Sequence, residues 1–97
     1  MSQARTTAIL ESNMETGWTS ELITASGAGT ETVKATQGKV AYIKVNGVYD
    51  VTLKDDTTAK WAVLSNAEQD FSFCPINCGT SIKLTFGGAG NAWIIYK

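Results

Sequence analysis

Catalysis needs particular side chains, and this sequence is short of them. No histidine occurs among its 97 residues, which removes the commonest general base and the commonest transition-metal ligand. Cys74 and Cys78 are the only cysteines, spaced C-P-I-N-C. That is not the C-x-x-C of a redox motif, and two thiols without a histidine do not complete a four-ligand zinc site in one chain. A cysteine nucleophile needs a base beside it, and the sequence offers none. An oxidising compartment would close a disulfide across the short loop. For a chain without an export signal the preferred reading is a reduced, partly buried pair at a turn.

The acidic residues fare no better. Asp55 and Asp56 are adjacent, so on a turn they point apart, and surface turns favour Asp as a solvated residue. Glu11, Glu15 and Glu21 also read as solvated. Asp50, Asp55 and Asp56 could offer oxygens to calcium, but their spacing follows no known calcium loop. The Gly-rich tracts at residues 26–30 and 87–90 lack the helix and lysine of a phosphate-cradling loop. The expectation is a protein that is not an enzyme, with no catalytic residue, no cofactor-binding residue and no metal ligand.

Aromatic residues carry more information. Trp18, Trp61 and Trp93 could form a sugar-stacking platform. Trp61 and Trp93 sit within alternating runs, so they are expected in the core, where a small sandwich needs bulk. Trp18 lies beside Leu22 and Ile23, outside the regular part of the chain. An apolar trio there needs a partner surface, so Trp18, Leu22 and Ile23 are the candidate partner-binding residues.

The elements that must carry these residues are strands. Charged residues are 18%, below a usual ~25%, and Thr, Ser, Asn and nine Gly take their place. That mixture suits pleated surfaces and tight turns. Residues 31–36, 39–45, 48–54, 59–65, 69–73, 80–86 and 92–96 read as strands. Ala41, Ile43 and Val45 are expected on one face, as are Tyr49, Val51 and Leu53, and likewise Ile82, Leu84 and Phe86. Asn46-Gly47 is the strongest short hairpin signal. Pro75 would end any central strand at the C-P-I-N-C loop. The last run is apolar on both faces, as in a central or covered strand.

The predicted fold is all-β: a compact β-sandwich, jelly-roll or Ig-like, or a small barrel of about six to eight short antiparallel strands. Residues 31–97 form this domain, and residues 1–30 precede it as an extended arm with a strand and a flexible linker. Removal of residues 1–25 is expected to leave the domain folded. Net charge is −1, and the lysines are scattered along the chain, so no nucleic-acid partner is expected. The first residues are no secretory signal and no run could span a bilayer, so no membrane partner is expected. A chain with no leader would stay in the cytosol or leave by lysis.

Four stretches carry a resemblance: V-K-A-T-Q-G-K-V-A-Y-I-K-V-N at 33–46, Y-D-V-T-L-K-D at 49–55, T-S-I-K-L-T-F-G-G at 80–88 and A-W-I-I-Y at 92–96. Together they resemble the small virion structural proteins of tailed bacteriophages, of the kind that decorate or cement capsids. The resemblance implies a variable first segment before a compact β domain. It also implies a non-enzymatic part of the capsid surface, assembled in the host cytoplasm, that bridges neighbouring subunits. Its partners would be the major capsid protein or other virion subunits, joined by symmetric homo-oligomers such as trimers at lattice three-folds. Many weak contacts on a lattice become effectively intramolecular and so add up. A phage tail or fibre module and a carbohydrate-binding β-sandwich are the alternatives.

Overall fold

A computed structural model describes residues 17–97. They form nine strands: β1 (Thr19–Ala25), β2 (Gly29–Lys34), β3 (Gly38–Asn46), β4 (Val51–Asp55), β5 (Thr58–Val63), β6 (Glu68–Asp70), β7 (Ile76–Cys78), β8 (Ile82–Phe86) and β9 (Gly90–Tyr96). One sheet has the order β1-β9-β3-β6, with β7 also on β3, and the other has the order β2-β8-β4-β5. All pairings are antiparallel.

β6 faces Tyr42 to Lys44 and β7 faces Gly38 to Val40, both antiparallel to β3. They are therefore one edge strand, interrupted between β6 and β7, where Phe71 still donates its N–H to the Ala41 carbonyl of β3 at 2.7 Å. Pro75 stands just before β7, where its missing donor costs no ladder bond. Counted this way, the described residues make two four-stranded layers and cross between them at nearly every connection. Only β4 and β5 are consecutive neighbours in one sheet. This is the jelly-roll form of the β-sandwich.

The core lies between the layers. β8 alternates buried and half-buried, with Ile82, Leu84 and Phe86 inward, and Val51, Leu53 and Val63 join them from β4 and β5. Val40, Ile43, Val45, Ala92 and Ile94 close the core from the facing sheet. Each fully buried Leu, Ile or Val contributes roughly 1.5–3 kcal/mol. β9 is a central strand, paired by β1 along one edge and β3 along the other; one face joins the core through Ala92 and Ile94, and on the other Ile95 packs with Ala41, Tyr42 and Trp18.

Three expectations change. The arm of residues 1–30 is, from Thr19 onward, part of both layers. β1 pairs β9 from Thr19↔Tyr96 to Ala25↔Gly90, and β2 pairs β8. A division at residue 30 falls inside β2, and removing residues 1–25 would strip the edge from β9. Residues 1–16 lie outside the described residues.

Second, Ala41 does not share a face with Ile43 and Val45. The β3–β9 register shifts between Val40 and Tyr42, and the extra residue turns the alternation over. Val40 and Ile43 both reach the core, while Ala41 and Tyr42 join Ile95 in a second cluster.

Third, Asn46-Gly47 makes no hairpin, because β3 and β4 lie in different sheets. Gly47 takes φ +149° in a connection between layers, and the Asn46 side-chain amide donates to Asn91 Oδ1 at 3.0 Å. A longer tether lets the chain change layer where a two-residue turn would hold it in one.

Candidate functional site

Four connections meet at one end of the sandwich: residues 26–28, 47–50, 64–67 and 87–89. Side chains hold them together. Asn66, at φ +53°, accepts the Gly47 N–H on Oδ1 at 3.1 Å. Asp50 accepts the Ser65 N–H at 2.8 Å. Ala67 accepts the Val45 N–H through its carbonyl at 2.9 Å. Tyr49 was expected to face the core, but its ring lies over Gly87 and Gly88, which leave it room by having no Cβ.

This end presents large apolar groups to solvent: Val48 is 77% exposed, Leu64 63% and Tyr49 48%. Asp50 is the one charged residue in the four connections. Isolated exposed apolar residues are ordinary on protein surfaces; several on one neutral end mark a contact surface. Sequence reading missed Val48 and Leu64. The available signal was that each is a β-branched or aliphatic residue at the flank of a turn, where polar residues are usual.

Trp18, Leu22 and Ile23 are not brought together as a trio. Trp18 packs on Ala41, Tyr42 and Ile95, and its Nε1 is buried without a hydrogen-bond partner. Ile23 points the opposite way and packs on the main core. Leu22 is exposed on the outer face, opposite Trp93 in the β1–β9 register. Two of the three thus serve the sandwich itself.

Neither Trp61 nor Trp93 belongs to the buried core. Trp61, 44% exposed, meets Phe71 edge-on with ring centroids 5.3 Å apart, at the open side where β5 forms the sheet edge. Trp93 is half-buried on the outer face, opposite Leu22 and Lys44. Phe73 is fully exposed in the interruption between β6 and β7.

The polar groups hold structure. Asp55, read from sequence as solvated, accepts the backbone N–H groups of Gly79, Thr80 and Ser81 at 3.0, 2.9 and 3.2 Å. These donors, Thr80 foremost, hold its carboxyl below the usual value. Asp56 pairs with Lys83 at 3.0 Å. The Tyr42 hydroxyl donates to Glu68; burial first, then the Glu68 bond and charge, push that phenol well above its ordinary range. Tyr96 donates to Glu21 at 2.8 Å and is likewise raised, by burial and then by Glu21.

Both thiols are free, Cys74 exposed and Cys78 buried. Burial pushes the Cys78 thiol up, away from the thiolate a nucleophile needs. Among the described residues no group of three or more Cys, Asp or Glu could hold a metal ion, and no helix is long and apolar enough to cross a membrane. Comparison with known proteins finds no matching family model, no matching curated protein and no matching solved structure.

Proposed function

We propose that this chain is a non-enzymatic virion structural protein, a decoration or cement module that attaches through its neutral loop end and bridges neighbouring capsid subunits. The observation that carries the reading is the pairing of Val48, Leu64 and Tyr49 exposure with near absence of charge in the same four connections. Such a surface can be stripped of water at little cost, because few polar groups there lose hydration without a partner. A protein contact of standard size buries roughly 800 Å² per partner, and one end of a domain this size can supply it. The jelly-roll layout supports the reading by analogy alone, since viral capsid and lectin domains share it.

The test is cosedimentation with purified capsid shells. The wild-type chain is expected to bind saturably, in a fixed ratio to capsid subunits. The Val48→Asp/Leu64→Asp variant, which places charge on the apolar tips, is expected to fold normally and lose at least about a hundredfold in affinity, or ~2.7 kcal/mol. Wild-type binding that is absent, or a variant that binds equally well, would overturn the reading.

A second reading, carbohydrate binding, is favoured by the half-exposed Trp61 beside Phe71. Quenching of tryptophan fluorescence by oligosaccharide, abolished in Trp61→Ala, would support it over the first.

A further inference from the structure

The sheet with the order β1-β9-β3-β6 has two faces, and one of them meets the other sheet. Ala92 and Ile94 point into the core between the layers. Side chains alternate along a strand, so Trp93 and Ile95 point outward, away from that core. On this outer face Ile95 is 1% exposed, Tyr42 2% and Ala41 0%. The outer face of an antiparallel sheet commonly meets water. Here three residues on two neighbouring strands are as dry as the core.

A side chain so deeply buried touches roughly 6–12 other residues. Among the described residues, Trp18 is the partly buried apolar group that packs on this cluster, and it is itself only half-buried. One indole at the margin does not exclude water from all three. Its Nε1 is also buried without a hydrogen-bond partner, although buried donors are nearly always paired. The burial belongs to one chain by itself, so no second molecule is needed to produce it.

Residues 1–16 are the part of the chain left to account for this cover. They reach Trp18 through Gly17, whose φ of +98° turns the backbone just before β1. From β1 across β9 to β3 is two strand spacings, or about 10 Å, which about three extended residues can span. The segment carries the apolar run Ala8-Ile9-Leu10 and also Met14. Each peptide unit in it holds a carbonyl able to accept from the indole.

We propose that residues 1–16 dock on the outer face of this sheet in their own chain, with the Ala8-Ile9-Leu10 run against Tyr42 and Ile95 and a carbonyl accepting from Trp18 Nε1. The segment thereby keeps an aromatic sheet face from becoming an adhesive one. The proposal stands apart from the loop end and from any role in a virion.

The experiment is NMR spectroscopy of the full chain at a concentration where it is monomeric. Nuclear Overhauser contacts are expected from the Ile9 and Leu10 methyls to the Tyr42 ring and the Ile95 methyls. A mixture of labelled and unlabelled chains, filtered for contacts between molecules, should show none. The Ile9→Asp/Leu10→Asp variant should speed hydrogen exchange of the Trp18 indole N–H at least about tenfold while the core amides of Leu53 and Leu84 keep their protection. Gln3→Asp/Asn13→Asp, which adds the same charge at polar positions of the segment, should leave the indole rate within about twofold. If the apolar pair fails to fold as aspartates, Ile9→Ser/Leu10→Ser replaces it with the same direction of change. Wild-type contacts that are missing, contacts seen only between molecules, or equal indole rates in both pairs of variants would overturn the proposal.

Discussion

One end of the sandwich fastens its connections mainly with charge, the other with amides, a single carboxylate and an aromatic ring. At the charged end the Asp55 carboxylate gathers three N–H groups of residues 79–81, Asp56 holds Lys83, and a lysine cleft lined by Lys34, Lys39 and Lys97 lies at the same end. At the neutral end Asn66 bonds Gly47, Asn46 bonds Asn91, and Tyr49 covers Gly87 and Gly88. The difference teaches where each kind of partner fits. Desolvating charged groups is expensive without a counter-charge, so the charged end keeps its water. The neutral end gives up its water readily and suits a protein surface. Each end also tolerates a different kind of damage.

The largest expected effect is at Gly38. A methyl group there would press on the Lys97 carbonyl and on Ile82 Cδ1. The carbonyl belongs to the Lys39–Lys97 backbone pairing, and Ile82 is fully buried, so neither can step aside. Gly38→Ala should cost about 3 kcal/mol, at the upper end of overpacking, measured by chemical denaturation. A loss below about 1 kcal/mol would show that the charged end yields more easily than its packing implies.

A smaller effect is expected from Asp55→Asn. The folded carboxyl lies below its ordinary 3.8, so the native state favours the ionised form. The stability it contributes is fully present above that ordinary value and is lost as pH falls through the lower native one. Asp55→Asn should lower the thermal midpoint at pH 7 and flatten its fall on the acid side. An acid slope identical to wild type would assign acid sensitivity elsewhere. The matching change at the neutral end, Asp50→Asn, removes a carboxylate with one N–H donor from the backbone and should matter less.

These two ends were not equally legible in the sequence. Alternation found Val51 and Leu53, and Ile82, Leu84 and Phe86, because strict period two survives wherever a strand stays regular. The both-sided apolarity of residues 92–96 marked a central strand, which β9 is. Alternation failed at Ala41, where one inserted residue reverses the faces, and at Asn46-Gly47, where turn chemistry is local but the choice of sheet is not. Residues 19–30 read as an arm because edge strands need little apolar content, and the partners β9 and β8 lie far along the chain, from Thr19↔Tyr96 to Lys34↔Ile82. The lysine cleft was invisible for the same reason. Lys34, Lys39 and Lys97 come to line one cleft only after the last strand has paired with the third. Asp55 looked like any turn aspartate, since its three donors come from residues 79–81.

The smallest expected effect makes the sharpest contrast. A methyl group on Gly88 would overlap the Tyr49 ring even more closely than one on Gly38 overlaps its neighbours. By distance alone Gly88→Ala should be the worse substitution. The obstacle, however, is the outer part of a half-exposed side chain on a loop. Rotation about its χ angles carries the ring into solvent, giving up some packing and breaking no backbone hydrogen bond. Gly88→Ala should therefore cost about 1 kcal/mol or less, near the range of ordinary surface changes. The ring-current shift that Tyr49 imposes on residue 88 in the wild type should vanish in its NMR spectrum. If Gly88→Ala proves as costly as Gly38→Ala, Tyr49 is locked, and the neutral end is as rigid as the charged one. If the cost is small and the shift is lost, Tyr49 is a hinged flap. A partner docking at Val48 and Leu64 could then draw that ring outward to enlarge the contact.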